Sequence, residues 1–459
     1  MTVCGILTRT TRFLLPVLAT MGMMLLVGCS SDEVPDPSPT AFVPSESPDA
    51  TATALPAVET PETPELTIDD LLASIEREIE SIRGINTPPP AEHSFVDQSG
   101  MKERLAEVFT DLETAEQLIH ESELLKLLGV IPQESDLTGI YESMLGSQVL
   151  GLYDPEKEEF FVLGDDSSGA DSVGIEAQLT YAHEYVHRLQ DAEFDLEAIE
   201  DLATGDDMSI AISALIEGDA TAAQTQYMLK NYDFTELAQL LESTLAAQAD
   251  VPEVPYFLQR SLEFPYTEGA AFVAILNQVG GFAAVDAVFN DLPRSSEQVL
   301  HPEKYFDKED PTTLDIPDDA MGDDWTVQAE NVLGEFFLKT WLEALGADNA
   351  ATAAAGWGGD AYSVFQNGSG DFALGVLIAW DEDSDAREFF DATAGSLDTN
   401  DNFTGAGSGI ARLFQTWEGP AGFVTLSRQD SAVYGEVILM AVTSDVGDSV
   451  SLIKAIAGG

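Results

Sequence analysis

The sequence contains very few cysteines and very few basic residues. Cys4 and Cys29 are the only thiols among 459 residues, and both lie in the first thirty. If that stretch serves in export, no disulfide can form in the remaining chain, and the folded part must be held together by its core. Lysine and arginine number 19 against 82 acidic residues, which gives a net charge of −63. Nucleic acid and anionic lipid surfaces are therefore poor partners, and the acidic surface favours solubility outside the cytoplasm.

The amino terminus lacks an apolar run long enough to span a bilayer, which takes about 20 residues. Phe13–Val27 has fifteen apolar-rich residues and follows Arg9 and Arg12, a pattern typical of an export signal. The tetrad that ends at Cys29, Leu-Val-Gly-Cys, resembles a bacterial lipobox, in which the cysteine becomes the lipidated first residue. A plain signal peptide or an uncleaved anchor is the alternative. We predict a signal over residues 1–29 and a lipid anchor at Cys29, on the extracytoplasmic face of a bacterial cell membrane.

Residues 30–65 have no lysine or arginine but eight prolines, among serine, threonine and acidic residues. Such a composition cannot bury enough apolar surface to offset the entropy lost on ordering. We predict a disordered tether that holds the following domain away from the membrane.

The stretch Tyr181–Asp191 contains His-Glu-x-x-His, although the chain has only five histidines. On a helix, His183 and His187 lie one turn apart on the same face, so both can bind one metal ion, and Glu184 can reach a water on that ion. The apolar residues around the motif recur at helical spacing: Ile175, Leu179, Ala182, Val186 and Leu189. The alternative is an ordinary helix that happens to contain two histidines.

A catalytic zinc needs a third protein ligand. A second helix predicted over Met208–Leu229 carries Glu217 among apolar residues. Because a buried carboxylate needs a partner, Glu217 either binds the metal or pairs with a nearby arginine or tyrosine. We predict a His2Glu site for one zinc ion, made by His183, His187 and Glu217.

The motif His-Glu-x-x-His-x-Leu-Gln-Asp, followed about thirty residues later by Glu-Gly-Asp-Ala, resembles the gluzincin zinc metallopeptidases. It is similar in particular to a group of bacterial lipoproteins. The resemblance covers residues 150–310 and implies that Glu217 completes the zinc site. It also implies that Asp191 orients an imidazole. In many gluzincins an aspartate four residues after the ligand glutamate supports the metal ligands by hydrogen bonding. Here that position is Thr221, and we assign the supporting role to Asp219 instead.

The expected chemistry is hydrolysis of a peptide bond in a peptide or protein substrate, with Glu184 as the general base. The oxyanion needs a further hydrogen-bond donor, for which His301 and Tyr266 are the candidates and His301 is preferred. Two other functions remain open. In the first, the chain is a non-catalytic surface-binding module on a degenerate peptidase scaffold. In the second, it is a zinc hydrolase of a non-peptide amide. An intact Glu184 argues against the first of these.

The predicted fold class is α+β. A mainly helical, zincin-like metallopeptidase domain with a small antiparallel sheet is expected over residues 66–345, and an α+β module of unknown role over 346–459. In the first domain, a hairpin of Gln148–Tyr153 and Phe160–Leu163 precedes the histidine helix, and Phe264 opens a later helix. Trp325–Leu345 is predicted as a helix and Gly356–Asp360 as a loop. The elements predicted for the module are strands over 361–366, 372–380, 422–427 and 433–444, and a helix over 384–395.

Overall fold

A computed structural model describes residues 67–85, 92–97, 99–101, 103, 112–141, 151–154, 159–163, 173–248, 254–408 and 414–458. The signal, the lipidation site at Cys29 and the tether predicted over 30–65 lie outside these residues. Within the described helices, none alone has the length and apolar character of a membrane span. One pair, Tyr256–Gly280 with Phe282–Phe289, meets those criteria only when joined, and it is bent by 118°.

The described residues up to about 310 are mainly helical. Its described helices are α1 (Ile68–Arg83), α2 (Leu112–Leu127), α3 (Ile175–Phe194), α4 (Leu196–Glu200), α5 (Asp206–Asn231), α6 (Phe234–Gln248), α7 (Tyr256–Gly280), α8 (Phe282–Phe289), α9 (Ser296–Leu300) and α10 (Pro302–Asp307). Helix α3 contains the His-Glu-x-x-His motif and packs against α1, α5 and a small sheet. Every residue from Leu179 to Gln190 is consequently buried, not only the apolar stripe.

The small sheet has three strands: β1 (Glu92–Val96), β2 (Gly151–Asp154) and β3 (Glu159–Leu163). Strands β2 and β3 pair antiparallel, as the predicted hairpin requires. Strand β1 pairs with β3 in parallel, so the sheet is mixed and the prediction of an antiparallel sheet was wrong in this respect. The order β1-β3-β2 leaves β2 at an edge, in contact with α3.

Helices α5 and α7 cross with their backbones in direct contact. A Cβ added to Gly218 would lie 2.3 Å from the carbonyl oxygen of Gly269, and one added to Gly269 would lie 2.2 Å from that of Ala214. Helix α7 begins at Tyr256, well before Phe264, and Pro265 lies inside it. The helix start expected at Phe264 was therefore wrong.

The carboxyl module is built on a seven-stranded sheet in the order β4-β5-β6-β10-β9-β8-β7, in which all neighbouring strands are antiparallel. The strands are β4 (Trp325–Asn331), β5 (Trp357–Asn367), β6 (Phe372–Trp380), β7 (Thr404–Ser408), β8 (Phe414–Gly419), β9 (Gly422–Ser431) and β10 (Gly435–Thr443). The helices are α11 (Gly334–Leu345), α12 (Ala350–Ala354), α13 (Asp383–Thr399) and α14 (Val446–Gly458).

Two local predictions for this region were wrong. The helix expected over Trp325–Leu345 is a strand, β4, followed by a shorter helix, α11. The loop expected over Gly356–Asp360 largely belongs to β5, with an irregular register between Trp357 and Gly359. Because β4 pairs with β5, the sheet of the module begins at residue 325, ahead of the boundary expected at 345.

Both faces of the large sheet are covered, which explains the near-continuous apolar sequence of its central strands. Along β10, Ile438, Met440 and Val442 join the core beneath α11, α12 and α13. The alternating residues Leu439 and Ala441 join a separate core beneath α14.

The module also holds the first turn of α5. The side-chain oxygen of Asn331, at the end of β4, accepts a hydrogen bond from Asp206 N at 2.9 Å. Asp207 lies against Gly334, where an added Cβ would fall 1.8 Å from Asp207 Oδ1. Asp360 accepts hydrogen bonds from Leu333 N and Gly334 N at 2.8 Å each. The helix that carries Glu217 is therefore anchored at its amino-terminal end by residues of the module.

Candidate metal centre

Helix α3 places His183 and His187 one turn apart with their rings 4.7 Å apart, centroid to centroid, at 79°. Both side chains are fully buried. Their Nε2 atoms lie 3.0 Å and 3.3 Å from the same oxygen, Oε2 of Glu217 on α5. Ligands placed tetrahedrally about 2.1 Å from an ion lie about 3.4 Å from each other. The three side chains therefore have the spacing and the chemistry of ligands around one zinc ion.

The charges of these groups suit a cation. Burial lowers the pKa of His183, which favours the neutral imidazole that a metal requires. Burial by itself would raise the pKa of Glu217, but His187 and His183 outweigh it and hold that pKa below its usual value. A carboxylate and a neutral imidazole at neutral pH are the protonation states of a ligand set.

Glu184 follows His183 on α3 and is buried. One residue along a helix turns the side chain by about 100°, so the side chain of Glu184 points about 100° away from that of His183. This is the relation expected of a group that contacts a water on the ion without binding the ion itself.

The two candidates for the oxyanion donor lie in different places. Tyr266 on α7 is buried, and its ring is 6.0 Å from that of His183, centroid to centroid. His301 is partly exposed and its Nε2 lies 2.9 Å from Glu335 Oε1. Of the two, the structure brings Tyr266 beside the histidine pair.

The position of His301 follows from the segments around it. Ser296 donates its backbone N–H to Asp207 Oδ2 and accepts a hydrogen bond from Phe336 N, next to Glu335. This whole group lies at the amino-terminal end of α5. Ten residues of helix, about 15 Å, separate Asp207 from Glu217. The preference for His301 over Tyr266 therefore does not match this arrangement.

The partner of His187 on the side away from Glu217 is a residue that the sequence did not suggest. His187 Nδ1 lies 2.8 Å from Oε1 of Gln190, which is fully buried. Asp191, the residue expected to orient an imidazole, is partly exposed at the end of this run. Asp219 is buried and reaches the site indirectly, since its Oδ2 accepts a hydrogen bond from Gln190 Nε2 at 2.8 Å.

Among the described residues, one other group of acids comes close enough together to hold a cation: Glu297, Glu309 and Asp381. The ammonium group of Lys304 lies among them, at 2.7 Å from both Glu297 Oε1 and Glu309 Oε1, and it also contacts Asp381. A lysine thus already supplies the positive charge at this second group.

Residues 325–451 match a family described as a domain of unknown function, DUF8575. The match covers the seven-stranded sheet and leaves His183, His187 and Glu217 outside it. No curated protein and no solved structure matches the chain.

Proposed function

We propose that this chain is a zinc-dependent peptidase of the gluzincin type, lipid-anchored outside a bacterial cell. The observation that carries the proposal is that ligand atoms of His183, His187 and Glu217 lie within 4.8 Å of one another. Glu184 follows His183 directly on α3. Three protein ligands, with a fourth position left for water or substrate, distinguish catalytic from structural zinc sites. A bound zinc ion would supply a Lewis acid that polarises a carbonyl and makes water more acidic.

The residues of the chain would perform the proton transfers. Glu184 accepts the proton that the attacking water loses and returns it to the nitrogen of the leaving amine, so that the carboxylate is regenerated. The hydroxyl of Tyr266 donates a hydrogen bond to the oxygen that gains negative charge. Strand β2, with a described partner only on its β3 side, offers a backbone edge to an extended peptide.

The first experiment measures the zinc content of the purified full-length protein beside Glu217→Ala. We expect about one zinc per wild-type chain and much less in the variant, because removing one of three ligands opens the site. No zinc in either protein would refute the enzyme. Zinc retained in both would refute Glu217 as a ligand.

The second experiment separates binding from catalysis with Glu184→Gln. This change keeps the size of the side chain but removes the base, so we expect full zinc content and no hydrolysis of a fluorogenic peptide library. Glu193→Gln, at an exposed position of the same helix, is the matched control and should keep both properties. A Glu184→Gln variant that lacks zinc would mean that the ligands are assigned wrongly.

The proposed location is tested separately with Cys29→Ala. The wild-type protein should carry a diacylglycerol on Cys29, detected by mass spectrometry, and should fractionate with membranes. Loss of the thiol should abolish the lipid. A wild-type protein without lipid at Cys29 would refute the anchor and would leave the zinc site unaffected.

A further inference from the structure

We propose that Gln190 is the positioning residue for His187, and that its amide holds the imidazole in the tautomer whose Nε2 is free to bind the ion. The inference rests on the proposed function, and it assigns a role to a residue outside the His-Glu-x-x-His motif.

The orientation of the Gln190 amide follows from its surroundings. Its Nε2 lies 2.8 Å from Oδ2 of Asp219 and 2.9 Å from the backbone oxygen of Ile216. A carbonyl oxygen and a carboxylate oxygen can only accept hydrogen bonds, so the NH2 end of the amide must face them. The carbonyl end, Oε1, is then directed to His187 Nδ1 at 2.8 Å.

The tautomer of His187 follows in turn. Because Oε1 of Gln190 can only accept, Nδ1 of His187 must carry the proton. Nε2, the atom that faces Glu217, is then the ring nitrogen whose lone pair a metal ion would use. A hydrogen bond on the other ring nitrogen commonly sets the tautomer and the ring orientation of a metal-binding histidine.

Asp219 cannot easily turn away from Gln190, since it is held from the other side. Its carboxylate pairs with Nε of Arg83 at 3.0 Å, and both side chains are fully buried. Arg83 also pairs with Asp286 at 2.7 Å and lies over the ring of Phe282 at 4.5 Å. Breaking a buried ion pair leaves an uncompensated charge, which is costly. A chain of contacts from α1 therefore fixes the amide of Gln190.

The test compares two substitutions at Gln190 in the full chain. Gln190→Leu removes the acceptor but retains a buried side chain of similar size. Gln190→Glu retains an oxygen that accepts from Nδ1–H, and it is combined with Asp219→Asn, because its second oxygen replaces the N–H that faces Asp219 and needs a donor there. We expect Gln190→Leu to weaken zinc binding about 10–100-fold, the usual effect of losing the partner of a ligand. Gln190→Glu with Asp219→Asn should bind zinc more tightly than Gln190→Leu. If Gln190 served only to pack the core, leucine would be the milder change, so the reverse order would overturn the proposal.

Gln178→Leu is the matched control. Gln178 lies on the same helix and hydrogen-bonds to Val173 O and Tyr232, away from the ligands. It should bind zinc as the wild type does. Equal weakening by Gln178→Leu and Gln190→Leu would overturn the proposal.

The tautomer is measured directly, without metal. Long-range 1H–15N spectra of the 15N-histidine-labelled chain contain signals from only five histidines. In the metal-free wild type near pH 8 we expect the proton of His187 on Nδ1, and in Gln190→Leu a mixture of tautomers. A wild type with the proton of His187 on Nε2 and none on Nδ1 would overturn the proposal. A wild type that binds no zinc would refute the proposed function, and the tautomer would still decide the role of Gln190.

Discussion

Replacing Gly218 with alanine tests the close crossing that positions Glu217. A Cβ at Gly218 would lie 2.3 Å from Gly269 O, 2.4 Å from Gly269 C and 2.9 Å from Ala270 N. All three atoms belong to the backbone of α7, so no side chain can rotate out of the way. Ordinary contact begins near 3.4 Å, and the two helices would therefore have to separate by about 1 Å.

Two effects of opposite sign determine how much Gly218→Ala changes the unfolding free energy. Alanine is favoured over glycine in a helix by about 1 kcal/mol, which alone would stabilise the protein. Overpacking a well-packed core costs about 1–3 kcal/mol, and rigid backbone on the other side places this case at the upper end. We therefore expect Gly218→Ala to lower the unfolding free energy by about 2 kcal/mol. Because Glu217 is the preceding residue, we also expect zinc affinity to fall.

The assay is urea unfolding of the metal-free protein, followed by zinc titration of the folded variants. Gly395→Ala is the control, since Gly395 is exposed in the interior of α13 and an added Cβ would meet nothing within 4 Å. It should gain up to about 1 kcal/mol from helix preference. If Gly218→Ala is as stabilising as Gly395→Ala, the crossing is not as close as described and the reasoning fails.

Two further predictions concern Asp207 in the first turn of α5 and Tyr266 in the interior of α7. Burial raises the pKa of Asp207 well above its usual value of 3.8, and the charge of Asp360 adds to this effect. Above about pH 3.8 the unfolded chain therefore loses this proton before the folded chain does. The unfolding free energy consequently falls as the pH rises. Asp207→Asn should therefore raise the unfolding free energy near pH 8 more than near pH 5 in urea titrations, and an equal effect at both would contradict this. Tyr266→Phe should lower kcat with KM nearly unchanged and zinc content intact, since its hydrogen bond is made in the transition state; an unchanged kcat would point to another donor.

The parts of the site that sequence could predict depend on local spacing. His183 and His187 meet because i and i+4 share one face of any helix, whatever surrounds it. Glu217 could be proposed because a carboxylate in an apolar helix needs a partner, and helix α5 extends over nearly the predicted range. The hairpin of β2 and β3 followed from two β-rich segments around a short turn.

The parts that sequence could not predict depend on contacts between distant segments. In the sequence, Gln190 is not distinguished from the other polar residues of α3. Its role depends on its hydrogen bond to Asp219, which is held by Arg83, 136 residues away in the sequence. Strand β4 is only partly buried and lies at the edge of the sheet, so its sequence carries little strand signal until β5 pairs with it. Pro265 disrupts a helical pattern locally, yet the packing of α7 on α5 outweighs that effect.

In this packing, each residue of the segment Glu217-Gly218-Asp219 contacts a different helix or group of residues. Successive residues of a helix point about 100° apart, so three in a row face three directions. Glu217 meets the histidine pair of α3, Gly218 meets the backbone of α7, and Asp219 meets Arg83 of α1 and the amide of Gln190. The carboxylate of Glu217 is thereby held in place by the close crossing on one side and by a buried ion pair on the other. Changes at Gly218 and Asp219 should therefore weaken zinc binding by different routes, the first through the position of Glu217 and the second through the tautomer of His187.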